Sequence, residues 1–201
     1  MTDLLPHKLR SDAQDNRDRI LEAGRELFAE HGLDVTMRQV ARRAGVGPAT
    51  LYRRFPARQV LLEAIFADEL RACHRIVDEG CSDPDPWRGF SSVIERISVL
   101  NVGNQGFVDA FMSENPKSDS FAAHRVSLLR MLAGLARRAQ AAGGLRSDFV
   151  LDDLVLVLLA GRGLASTPST RTVAAARRFA ALAVEAFRAS DTNTPLPRGT
   201  A

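Results

Sequence analysis

Residues 36–58 read TMRQVARRAGVGPATLYRRFPAR and hold six arginines, Arg38, Arg42, Arg43, Arg53, Arg54 and Arg58, with no acidic residue among them. A guanidinium carries a permanent charge and a planar fork of N–H donors. That fork can pair bidentately with guanine O6 and N7, and a threonine or alanine methyl can contact a thymine methyl. Arg, Thr and Tyr side chains also donate to phosphate oxygens. The chemistry on offer is recognition of a polyanion that carries base edges. Bond-breaking chemistry is not signalled. The four histidines, His7, His31, His74 and His124, are scattered, and H-E-x-x-H, C-x-x-C, a glycine-rich phosphate loop and G-x-S-x-G are all missing. The expectation is no catalytic residue, no metal site and no cofactor.

The charge distribution points the same way. Residues 1–62 carry eleven Lys and Arg against eight Asp and Glu, which is the whole net excess of +3, while residues 63–201 hold sixteen of each sign. A basic front on a neutral body predicts a polyanionic partner for the front alone. The hydrophobic fraction of 45% and charged fraction of 25% are those of a globular chain. Cys73 and Cys81 are too few for a disulfide framework and read as reduced thiols. No secretory signal opens the chain, and its most apolar run, LVLVLLAG at 154–161, is far short of the roughly 20 residues that span a bilayer. The expected location is cytoplasmic, with no membrane partner.

Three elements must position the arginines. Residues 12–31 predict a helix burying Ile20, Ala23, Gly24, Leu27 and Phe28 at the i, i+3, i+4, i+7, i+8 spacing, ended at Gly32. Thr36 suits an N-cap for a helix over 37–44, with Met37, Val40, Ala41 and Ala44 on one side. Gly45 permits a tight turn, Val46 pins it, and Pro48 opens a helix over 48–55 that buries Leu51 and Phe55. Helix, glycine turn and short helix is helix-turn-helix geometry.

The segment from about Asn16 to Phe66 resembles the DNA-binding part of the TetR (tetracycline repressor) family of one-component transcriptional regulators. The residues that carry the resemblance are Leu27-Phe28, Gly32, Thr36, Val40-Ala41, Ala44-Gly45-Val46, Thr50-Leu51-Tyr52, Phe55 and Arg58. The resemblance implies phosphate contacts at Thr36, Tyr52 and Arg58, the last a position where many members have lysine. It implies base contacts at Arg38, Gly47, Pro48, Ala49, Thr50, Arg53 and Arg54. Gly47-Pro48-Ala49 departs from members with longer polar side chains there, which moves direct reading onto Arg38, Arg53 and Arg54, or onto DNA shape.

The predicted fold is all-α: a flexible arm (1–11), a three-helix DNA-binding domain with the helix-turn-helix (12–58), a helical effector-binding and dimerisation domain (59–189) and a disordered tail (190–201). The second domain opens on one long helix over 57–80. Four or five more follow, with breaks at 103–106, Asn115-Pro116, Gly143-Gly144 and Pro168. Trp87, Phe90, Ile94, Ile97, Phe107, Phe111, Phe121 and Leu128 could line an apolar cavity, with His124, Asn104 and Gln105 as polar neighbours. That a pocket for a small apolar or aromatic effector exists there is implied by the resemblance. Leu154, Val155, Leu158, Leu159, Val173, Ala180, Val184 and Phe187 make the last two helices more apolar than one small domain needs, so a homodimeric four-helix bundle is expected.

The expected function is therefore a ligand-responsive transcriptional repressor that binds a palindromic duplex operator as a homodimer. A nucleoid-type DNA-binding protein and a helical enzyme are the alternatives.

Overall fold

The computed structural model describes the backbone of residues 5–102, 104–112, 121–161, 163 and 169–197, with side chains from Gln14 onward and, in the last helix, from Thr172. Among these, ten α-helices and one 3-10 turn form, and strand character is confined to an isolated bridge between Leu145 and Arg188. The chain divides into two compact units, residues 1–68 with 105–122, and residues 69–104 with 123–201. The predicted turn at Asn115-Pro116, the break at Pro168 and the end of the tail lie outside the described residues.

The first unit holds α1 (Leu5–His31), the 3-10 turn Gly32–Asp34, α2 (Met37–Arg43), α3 (Pro48–Arg54), α4 (Arg58–Ile65) and α7 (Gln105–Phe111). Helix α1 starts at Leu5, inside the stretch expected to be a flexible arm. Its predicted face is the buried one: Ile20, Ala23, Leu27 and Phe28 pack inward, and α2, α4 and α7 all lie against this helix. Gly24 permits the approach of α4, because a Cβ there would sit 2.4 Å from Ile65 Cδ1. An aromatic row runs from Phe28 to Phe66 (6.1 Å between centroids), Phe107 (5.8 Å) and Phe121 (6.3 Å), with Phe111 5.5 Å from Phe107. Burying Phe28, Phe66, Phe107 and Phe121 stabilises the unit by about 1.5–3 kcal/mol each, while Phe111 is only partly buried. Phe107, Phe111 and Phe121, expected with the second domain's cavity, are thus bound up with the core beneath the helix-turn-helix. Periodicity shows that a face is buried without showing what covers it.

The predicted single helix over 57–80 is two. Helix α4 ends at Ile65, Phe66 leaves helical geometry at φ −102, ψ 18, and α5 runs Ala67–Ser82. Neither glycine nor proline marks the break, so the pattern reads straight through it.

The second unit is built from α5, α6 (Pro86–Val102), α8 (Ala122–Ala141), α9 (Leu151–Gly161) and α10 (Ser169–Phe187). Helix α6 packs chiefly on α10 and also on α9. Phe90, Phe149 and Phe187 close the core edge-to-face, with centroids 5.4, 5.0 and 6.5 Å apart, and Trp87 stacks on Phe90 at 6.1 Å. Residues 190–197, expected within a disordered tail, make hydrogen bonds back to the rest of the second unit. Buried Arg146 donates to Asp148 through Nε (2.6 Å) and Nη2 (2.9 Å), and to the carbonyls of Ala186 (3.3 Å) and Thr194 (2.7 Å). Asp148 in turn accepts the Leu196 N–H at 2.9 Å. These long-range partners are invisible in a local composition rich in Thr and Pro.

Candidate nucleic-acid interface

Thr36 caps α2 in extended geometry (φ −93, ψ 154) and forms a full capping box with Gln39. The backbone N–H of Gln39 donates to Thr36 Oγ1 at 3.3 Å, while Gln39 Oε1 accepts the Thr36 N–H and its hydroxyl, both at 2.7 Å. The Thr-x-x-Gln spacing is the legible signal for this partner, which the reading from sequence passed over. It occupies the hydroxyl proton of Thr36, so any phosphate contact by that hydroxyl competes with Gln39.

Helix α2 ends in a Schellman turn. The Val46 N–H reaches the Ala41 carbonyl (3.0 Å), and the Gly45 N–H reaches that of Arg42 (3.2 Å). Gly45 has φ +65, which a side chain would make costly. Gly47 then caps α3 without a side chain, Pro48 takes the first helical position, and Phe55 stops the helix at φ −131. Fully buried Leu51 and nearly buried Phe55 turn the opposite face of α3 outward. That face presents Gly47, Pro48, Ala49, Arg53 and Arg54 fully, Tyr52 at 48% exposure and Thr50 partly.

The six arginines separate into two kinds. Arg38, Arg42, Arg53 and Arg54 are exposed and pair with no acid among the described residues. Arg42, left out of the expected set, belongs with the others by exposure. Arg43 is tied to α1, donating to Glu26 at 2.8 Å and Glu30 at 2.9 Å. Those contacts hold the Glu30 carboxyl below its usual range. Both pairs are solvent-accessible, so they orient α2 more than they stabilise it. Arg58 is turned inward: Nη1 donates to the Val35 carbonyl, Nη2 to that of Leu33, and the guanidinium lies 5.4 Å from the Phe28 ring centroid. Arg58 is partly buried, and both of its terminal nitrogens are engaged by these carbonyls.

The model of the bacterial regulatory proteins, tetR family, matches residues 20–65. The TetR regulator SCO0520 from Streptomyces coelicolor is 31% identical, covering 87% of this chain and 99% of that one, with a TM-score of 0.54. The chain belongs to the TetR family. The HTH-type transcriptional regulator UidR of Escherichia coli K12 is 28% identical over 152 residues, 70% of this chain and 74% of UidR. The transcriptional regulator FadR from Bacillus subtilis, solved in complex with stearoyl-CoA, shares the fold at a TM-score of 0.60 with 16% identity, covering 84% of this chain and 97% of FadR. This TetR-family chain is accordingly a DNA-binding transcriptional regulator and not an enzyme.

The other expected sites are rearranged. Phe90 and Ile94 are fully buried in the second unit, where Ile97 and Leu128 are also buried and Trp87 is partly so. With Phe107, Phe111 and Phe121 in the first unit, the expected lining is divided between two cores. Asn104 spends its amide on the Leu100 carbonyl at 3.1 Å. His124 does line a cleft of about 530 Å³ along α5, opposite His74 (5.4 Å between ring centroids) and beside Leu70, Arg75 and Asp78. A second cleft of about 690 Å³ lies between Ile76, Arg96, Val99, Leu100 and Arg177. Both mix charge with apolar surface, whereas the expectation was an apolar cavity. Of the predicted dimer residues, Leu154, Ala180, Val184 and Phe187 are buried within the unit itself, Val155, Leu158 and Leu159 are partly buried, and Val173 is exposed at 44%. Leu156 (63%) and Leu182 (57%) are exposed apolar residues on the same two helices that the expectation missed. No helix among the described residues is long and apolar enough to cross a membrane.

Proposed function

We propose that the exposed face of α2 and α3 is the operator-reading surface of a cytoplasmic, homodimeric repressor released by a small-molecule effector. The observation that carries this reading is the set of four unpaired, exposed arginines around the exposed face of α3, a helix locked by Leu51 and Phe55. Arg38, Arg53 and Arg54 are the base readers in this reading, with Gly47, Pro48, Ala49 and Thr50 approaching closely and Thr36, Arg42 and Tyr52 on phosphates. A dimer formed through exposed Leu156, Val173 and Leu182 presents two such helices to half-sites about one duplex turn, roughly 34–36 Å, apart. Effector binding that favours a conformation with another separation weakens DNA binding. The effector is placed among apolar or aromatic small molecules. That class is supported by the family resemblance and by the acyl-CoA ligand of FadR, a likeness of fold.

The test is selection of bound duplexes from random DNA by the purified full-length protein. A palindromic sequence with one-turn half-site spacing is the expected outcome. Retention of all duplexes alike, undone equally by any competitor DNA, would instead make this a nucleoid-type protein.

A further inference from the structure

We propose that Arg58 is a positioning residue for DNA reading, acting through the segment that leads into α2, and not a phosphate ligand. The inference rests on the operator-reading surface assigned above. Arg58 is the first residue of α4, and its two terminal nitrogens donate to the carbonyls of Leu33 and Val35, the latter immediately before the Thr36 cap. Those two carbonyls belong to a stretch where the chain is neither α-helix nor sheet: Leu33 lies in the 3-10 turn and Val35 is extended at φ −71, ψ 130. The guanidinium plane is also held over the ring of Phe28, itself 1% exposed in the aromatic row. One planar fork therefore ties the start of α4, the core face of α1 and the approach to α2 into a fixed relation. Thr36 and Arg38, which begin the reading surface, follow within three residues of the second carbonyl.

A lysine cannot reproduce this arrangement. Its ammonium is a point charge with no planar fork, and it stacks less well on a ring. It would nevertheless serve a phosphate. The two roles therefore separate in the conservative variant. Partial burial also lowers the Arg58 pKa, in keeping with a group withdrawn from water.

The experiment compares Arg58→Lys and Arg58→Met with the wild-type full-length protein, using as probe the duplex that the wild type selects from random DNA. Affinity is measured across a salt series well below each protein's melting temperature, alongside amide exchange at residues 33–39. A positioning role gives at least a tenfold loss of affinity for the selected duplex in both variants, a salt slope unchanged from wild type, and faster exchange at residues 33–39. A phosphate role is shown by near-normal affinity for Arg58→Lys, with Arg58→Met reducing the slope by about 0.9 for each phosphate that is no longer neutralised. That result overturns the proposal. So does wild-type affinity in both variants with only a lowered melting temperature, the mark of a purely structural residue. If Arg58→Met fails to fold, the Lys variant alone decides between these outcomes. A wild type that selects no sequence sinks the operator reading itself, and this inference with it.

Discussion

Among the arginines of residues 36–58, side-chain partners decide role. Arg54 is exposed and unpaired at the last turn of α3, so Arg54→Ala should cost about 1–3 kcal/mol in operator binding and relax preference at one base position. Repeating the random-duplex selection with the variant checks this; an unchanged preference and affinity would remove Arg54 from the base readers. A second residue-scale effect lies in the other unit. Arg146 donates twice to Asp148 and holds its carboxyl well below the usual range, helped by the Leu196 N–H. A carboxyl depressed in the folded state stabilises the fold above its unfolded value, about 3.9, and loses that contribution as pH falls towards the folded value. Asp148→Asn should therefore lower the melting temperature at pH 7, with the gap to wild type closing as pH drops below about 4. Thermal melts from neutral pH down into the acid range read this directly.

Elements hold those residues by turns that tolerate little change. At Gly45, φ is +65 and no atom lies within 4 Å of the place a Cβ would take, so the cost of Gly45→Ala is backbone strain without a clash. The expected loss is about 1–2 kcal/mol by urea denaturation, with Gly45→Asn closer to wild type because asparagine enters the left-handed region more readily. Equal stability of the Gly45→Ala variant and the wild type would show that the turn relaxes. The three helices around this turn were legible because their caps and stops are local: Thr36, Gly45, Pro48 and the buried pair Leu51 and Phe55 all act within one or two turns. The break at Phe66 was not legible. Phe66 carries no local stop signal, and its ring packs with Phe28 and Phe107, which are far away in the chain.

For the whole molecule, the question is which apolar residues close a protomer and which remain for a partner. Leu156 and Leu182 stay exposed on α9 and α10, while Ala180, Val184 and Phe187 are taken up by the unit's own core. The double variant Leu156→Glu, Leu182→Glu should sediment as a folded monomer and bind the operator far more weakly, by roughly a hundredfold or more, since one recognition helix then binds alone. A dimer that survives both substitutions would place the interface elsewhere.

Membership of the TetR family, the all-α class and the helix-turn-helix were determined by the sequence alone, because they rest on short-range signals: caps, a glycine turn, 3.6-residue periodicity and one basic stretch. Tertiary structure decided how the same residue types divide. It withdrew Arg43 and Arg58 from the free arginines by supplying Glu26, Glu30 and two carbonyls as partners. It drew Phe107, Phe111 and Phe121 into the core under the DNA-binding helices. It left Leu156 and Leu182 uncovered. A side chain's charge or apolarity is written in the chain, but its partner is set by residues that only folding brings near.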